Sequence, residues 1–101
     1  MKSLLHLFIV GGLACAASLA VAGERPRVEE VRQLRDAGKI LPAEEILVRS
    51  RKVQPGQVVG LELEREGGRL IYEVKLIDNA NRFHQLEFDA ATGALLRHWG
   101  K

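Results

Sequence analysis

Cysteine and aromatic residues are scarce in this 101-residue chain. Aromatic residues make up 5% of it, and its single cysteine is Cys15. Cys15 lies between Leu4 and Ala22, a segment without any charged residue. If that segment is removed, the remaining chain has no cysteine for a disulfide or for thiol chemistry. Thiol catalysis is therefore excluded for the mature chain.

A strong charge of one sign is also missing. After residue 22, the remaining 79 residues carry 14 Lys and Arg, all but Lys2, and 13 Asp and Glu. A nucleic-acid-binding domain usually shows a concentrated basic stripe, so we expect no nucleic-acid partner. This length allows one small hydrophobic core but is short for most catalytic scaffolds. No nucleophile–base pattern, phosphate-binding loop or cofactor fingerprint is present, so we predict no enzyme and no catalytic, cofactor-binding or metal-binding residue.

Residues 1–22 are typical of a secretory signal peptide. Lys2 gives the positive start, Leu4–Leu13 the apolar stretch, and Ala20-Val21-Ala22 the small-residue cleavage site. We predict cleavage between Ala22 and Gly23, a periplasmic or secreted protein, and no membrane span after cleavage. Two alternatives stay open, a retained membrane anchor and acylation of Cys15.

The next part of the chain predicts two helices. Residues 23–39 form a flexible polar lead-in and a short helix, with Val28, Val31 and Leu34 on one side and Gly38 after its end. A second helix has Pro42 at its first position and ends at Pro55-Gly56. Its core-facing side is predicted to contain Ile46, Leu47, Ser50 and Val53.

Beyond Gly56 the apolar residues alternate, which predicts strands. Gly67-Gly68 indicates a tight hairpin, and the segments 78–81 and 89–93 indicate further turns. The result is an α+β fold with N-terminal helices packed on one face of a small antiparallel β-meander. The predicted inward residues of the first three strands are Val59, Leu61, Leu63, Leu70, Tyr72, Val74, Leu76, Leu86 and Phe88.

Several short segments in this order resemble the PepSY family. They are Glu44-Glu45-Ile46-Leu47, Pro55-Gly56, Tyr72-Glu73-Val74 and Asp89-Ala90-Ala91-Thr92-Gly93. The resemblance covers about residues 40–96 and defines a PepSY-like domain at 40–101. It implies a non-catalytic module that binds a protein partner in the cell envelope, either a protease or a signalling protein. The alternative function is a small-ligand or cation sensor that uses the acidic sheet face.

The candidate contact residues lie on the predicted outer face of the sheet and near the C-terminus. Edge strands can also accept an extended peptide by strand addition. Trp99 is interpreted first as a cover over the open edge of the core and otherwise as an exposed contact. The candidate partner contacts are Glu62, Glu64, Glu73, Lys75 and Trp99.

The histidines and a cluster of cations are predicted to have structural roles only. His84 shares its strand parity with Leu86 and Phe88 and is predicted to be partly buried. The mature chain has only one further histidine, His98, so no metal site is expected. The cations from Arg49 to Lys52 are interpreted as a solvated helix end, which the helix dipole favours.

Overall fold

A computed structural model describes residues 24–100, which form two helices followed by one four-stranded sheet. The helices are α1 (Val28–Asp36) and α2 (Ala43–Val53). The strands β1 (Gln57–Glu66), β2 (Arg69–Ile77), β3 (Phe83–Asp89) and β4 (Leu95–Gly100) pair antiparallel in that order. The predicted α+β meander is confirmed. The predicted signal peptide, its cleavage site and Cys15 lie outside the described residues.

The core lies between helix α2 and the inner face of the sheet. Ile46 and Ser50 are the buried residues of α2, and the Ser50 hydroxyl donates to the Leu47 carbonyl at 2.8 Å. This bond satisfies the one hydroxyl that the helix buries. Neither helix within residues 24–100 combines the length and apolar character that a membrane crossing needs. The buried cluster contains Ile40, Ile46, Tyr72, Val74, Leu76, Leu86, Phe88 and Ala90.

The segment between the helices is fixed to the sheet by two hydrogen bonds at Leu41. The Tyr72 hydroxyl donates to the Leu41 carbonyl at 2.7 Å, and the Leu41 N–H donates to the Ala90 carbonyl at 2.8 Å. Tyr72 is buried, and burial raises the pKa of its hydroxyl. The hydroxyl therefore stays protonated and available as a donor while it sets where α2 begins.

The predicted inward position of Val59 is wrong. A β-bulge between Val58 and Gly60 shifts the register of β1 against β2. The bulge reverses the alternation of side chains at this point, because it adds one residue to one strand only. Val58 consequently packs against the core, and Val59 is exposed.

Two predictions about α2 also need correction. Pro42 has extended backbone angles and is the N-cap, one residue before the helix begins. Val53 is 38% exposed instead of buried. It lies in the last helical turn, beside an open groove, whereas Ile46 and Ser50 face the sheet directly.

The polar lead-in is paired with the sheet. Glu24 forms an antiparallel bridge with Arg65 on β1. The Arg65 guanidinium also binds the Glu30 carboxylate of α1 at 2.7 Å, and Arg25 binds Glu62 at 2.9 Å. The lead-in and α1 are thus held along the outer edge of β1.

Gly93 and Gly68 give a matched test of the turn before β4. Both have a φ of +78°, which costs an alanine about 1–2 kcal/mol. A Cβ on Gly93 would lie 2.6 Å from the Arg49 guanidinium carbon, whereas a Cβ on Gly68 would meet nothing within 4 Å. The Arg49 guanidinium donates to the Gly93 carbonyl at 3.2 Å, a bond that an added methyl group would displace.

We therefore expect Gly93→Ala to destabilise the protein by about 1 kcal/mol more than Gly68→Ala, measured by chemical denaturation. In a chain that also carries Arg49→Ala, the two glycine substitutions should cost the same. An equal cost for both in the presence of Arg49 would contradict this account of the turn.

Candidate functional site

The outer face of the sheet brings four of the five candidate contact residues into one patch. Glu62 pairs with Glu73 across β1 and β2, and Glu73 pairs with Glu87 on β3. Glu64 lies two residues along β1 from Glu62, and Lys75 lies two residues along β2 from Glu73, on the same face. Antiparallel pairs place such side chains within reach of one another, as the sequence predicted.

Three carboxylates of this patch crowd together. Glu62, Glu64 and Glu73 each offer an oxygen within 4.8 Å of the others. Partial burial raises the pKa of Glu64 above its ordinary value, and repulsion from Glu73 and Glu62 raises it further. Glu73 already has two partners, since the Lys75 ammonium lies 3.6 Å away and the Gln85 amide donates to it at 2.9 Å.

At the β4 side of the sheet, the outer face carries the basic residue Arg97 and the aromatic residue Trp99. Arg97 on β4 binds Glu87 at 2.8 Å, and its guanidinium carbon lies 5.6 Å from the centre of the Trp99 ring. Trp99 pairs with Gln85, shares the outer face with it, and is 45% exposed. The interpretation of Trp99 as a cover over the core is therefore wrong, because residue 99 has the outward parity on β4.

The two edges of the sheet differ. Along β1, Glu24 occupies part of the edge through its bridge to Arg65. Along β4, no other strand within residues 24–100 pairs with the outer edge. Unpaired N–H and C=O groups therefore line β4, as at any open sheet edge.

An open groove of about 520 Å³ lies between α2 and the start of β4, and the sequence did not predict it. Its apolar lining includes Val48 and Val53 on α2 and Leu95 on β4, all exposed, with Phe88 beside them. Arg49 and Lys52 supply cations on the helix side. The helical spacing of the apolar residues of α2 predicted an apolar side of this helix, but it could not show that the helix leaves β4 uncovered.

The interpretation of Arg49 as only a solvated cation needs correction, because its guanidinium donates to the Gly93 carbonyl and holds that turn.

Comparison with known proteins gives one family. The family model described as "Peptidase propeptide and YPEB domain" (PepSY) matches residues 40–99, which is more than half of the chain. No curated protein and no solved structure matches the chain. The matched region contains α2, all of the sheet except Gly100, the outer patch and the groove.

The crowded carboxylates predict a pH-dependent effect of Glu64→Gln. Because the folded-state pKa of Glu64 is raised above 4.5, its charged form destabilises the fold at neutral pH. This penalty is present above the raised pKa and disappears as the pH falls below the unfolded value. We expect Glu64→Gln to raise the melting temperature at pH 7 and to leave it unchanged near pH 3.

Glu30→Gln provides the control, because the Glu30 carboxylate lies 2.7 Å from the Arg65 guanidinium, gains an attraction from it, and is not one of the charges that repel Glu64. This variant should melt at or slightly below the temperature of the unchanged chain at pH 7. If Glu64→Gln lowers the melting temperature at neutral pH, the described repulsion is not the dominant effect.

Proposed function

Because the chain belongs to the PepSY family of peptidase propeptide and YPEB domains, we propose that it binds and regulates a protein partner in the cell envelope, without an activity of its own. Domains of this family are propeptide-like or regulatory modules. We propose a protease, or the extracytoplasmic part of a signalling protein, as the partner. The proposed location is periplasmic or secreted, after removal of residues 1–22.

The observation that carries this proposal is the open edge of β4 with exposed apolar side chains on both of its faces. Leu95 lies on the inner side with Val48 and Val53 in the groove, and Trp99 lies on the outer side. An extended segment of a partner could continue the sheet along β4 through backbone hydrogen bonds. Its alternate side chains would then contact the groove on one face and the Trp99 ring on the other.

The charges around the groove define the partner segment further. Lys52 and Arg49 face the groove, and Arg49 is already paired with Glu45 at 3.3 Å. Within residues 24–100, Lys52 has no carboxylate within 4 Å. We therefore propose an extended partner segment in which apolar residues alternate and an acidic residue lies near Lys52.

The other predicted contact residues stay predictions. Glu62, Glu64, Glu73 and Lys75 lie on β1 and β2, away from the open edge at β4, and Lys75 and Gln85 bind Glu73. A larger partner that covers the outer face would contact them. The alternative function, a cation sensor, would use the same carboxylates and require Lys75 to move from Glu73 and Arg25 to move from Glu62.

The test compares recovery of envelope proteins by three tagged versions of the chain. The first is unchanged, the second carries Leu95→Glu and Trp99→Ser, and the control carries Val59→Ser. Val59 is an exposed apolar residue at the other side of the sheet, so the control removes an exposed apolar side chain without changing β4. We expect a partner that the unchanged chain and the control recover and the β4 variant loses.

The partner is then purified, and its dissociation constant is measured with each version. A loss of at least tenfold with the β4 variant, at an unchanged melting temperature, is the expected result. Equal binding by all three versions would contradict the proposed edge. A melting temperature raised by Ca²⁺, but not in Glu64→Gln, without any protein recovered, would favour the cation sensor instead.

A further inference from the structure

His84 and His98 meet at one end of the sheet, although 14 residues separate them in the chain. His84 on β3 pairs with Leu76, and His98 on β4 pairs with Leu86. Since Leu76 and Leu86 are core residues, both histidines lie on the inner face, as diagonal neighbours on adjacent strands. Nδ1 of His84 lies 3.1 Å from Nε2 of His98.

A single metal ion could be bound by both of these nitrogens. Metal–imidazole bonds are about 2.0–2.1 Å long, so two nitrogens 3.1 Å apart correspond to an angle of roughly 100° at the ion. That angle lies between the values for square-planar and tetrahedral coordination. To bind one ion together, the two rings would turn so that both lone pairs converge on it, and His98 would carry its proton on Nδ1.

A carboxylate orients the first of these histidines. Oδ2 of Asp78 lies 2.7 Å from Nε2 of His84. The other oxygen of Asp78 accepts hydrogen bonds from the backbone N–H groups of Ala80 and Arg82 at 2.8 and 2.9 Å. The fixed carboxylate favours the proton on Nε2 of His84 and leaves the lone pair of Nδ1 directed at His98. Histidines that bind metals commonly donate their second nitrogen to such a carboxylate.

The backbone also leaves space beside the nitrogen that would bind the ion. A Cβ on Gly100 would lie 2.7 Å from Nδ1 and 2.9 Å from Cε1 of His84. Any larger residue at position 100 would therefore occupy the approach to Nδ1. The side chain of His84 is 12% exposed, whereas His98 is exposed, so an ion could enter from the solvent on the β4 side.

We propose that His84 and His98 form a binding site for a divalent transition-metal ion, with Asp78 as the residue that orients His84. Imidazole nitrogens favour Cu²⁺, Ni²⁺ and Zn²⁺ over Ca²⁺ and Mg²⁺, and Cu²⁺ binds most strongly to a given set of nitrogens. Water would complete the coordination. This site is independent of the carboxylate patch on the outer face and of the β4 edge, so it can be tested separately from the proposed function.

The experiment uses the full chain without a histidine tag. Binding of Zn²⁺ is measured by calorimetry, and bound Cu²⁺ is examined by electron paramagnetic resonance. We expect one ion per chain, with Cu²⁺ showing hyperfine coupling to two nitrogens. His98→Gln and His84→Gln should each weaken Zn²⁺ binding at least tenfold. Glu64→Gln is the control, because it keeps both histidines, removes a carboxylate of the outer patch and should change nothing.

Two further variants keep both ligands and separate this site from a simple hydrogen bond. Asp78→Asn should weaken Zn²⁺ binding by about 10- to 100-fold, as loss of an orienting carboxylate does in other metal sites. Gly100→Ala should weaken it by filling the space beside Nδ1. Melting curves without metal show whether each variant is folded, and His98→Gln is the decisive variant because His98 is exposed.

Three results would overturn the proposal. One is Zn²⁺ binding that is equally strong in the unchanged chain and in folded His98→Gln. Another is binding that is lost in Glu64→Gln. The third is a Cu²⁺ spectrum that shows oxygen ligands only, which would place the ion on the outer carboxylates.

Discussion

The packing of α2 on the inner face of the sheet is the interaction on which the rest of the structure depends. A four-stranded sheet with one apolar face needs a cover, and Ile46, which is completely buried, lies at the centre of that cover. The Tyr72 hydroxyl and the Ala90 carbonyl fix Leu41 just before the helix, so they determine where α2 begins. Without this helix, the buried core residues of β2 and β3 would lose part of their cover.

The size of that cover determines which surfaces stay available. One helix of 11 residues cannot reach across the whole sheet, and the start of β4 stays uncovered beside Val48 and Val53. On the other side, the lead-in residue Glu24 and the ion pair between Glu30 and Arg65 hold α1 near β1. The asymmetry leaves β4 as the open edge. The choice of this edge for the proposed partner therefore follows from how the helices are placed.

The two proposals use different parts of β4. The proposed partner segment would pair with the outer edge of the strand, whereas the proposed metal site uses His98 on its inner face and His84 on β3. An ion there would fix the end of β4 to β3, close to the Trp99 ring on the opposite face. Metal binding could thus order the strand that the partner contacts, although each site can exist without the other.

Local patterns were sufficient to predict the element order, the hairpin at Gly67-Gly68 and most of the inward residues, because alternation and turn chemistry depend on near neighbours. They could not predict the bulge that exposes Val59, since a bulge depends on the partner strand. The contact between His84 and His98 was likewise not visible, because strand pairing and register bring the two residues together. The sequence by itself determined an α+β meander with a charged outer face. Only the tertiary structure decided which edge stays open and which distant side chains meet, because both depend on packing between elements far apart in the chain.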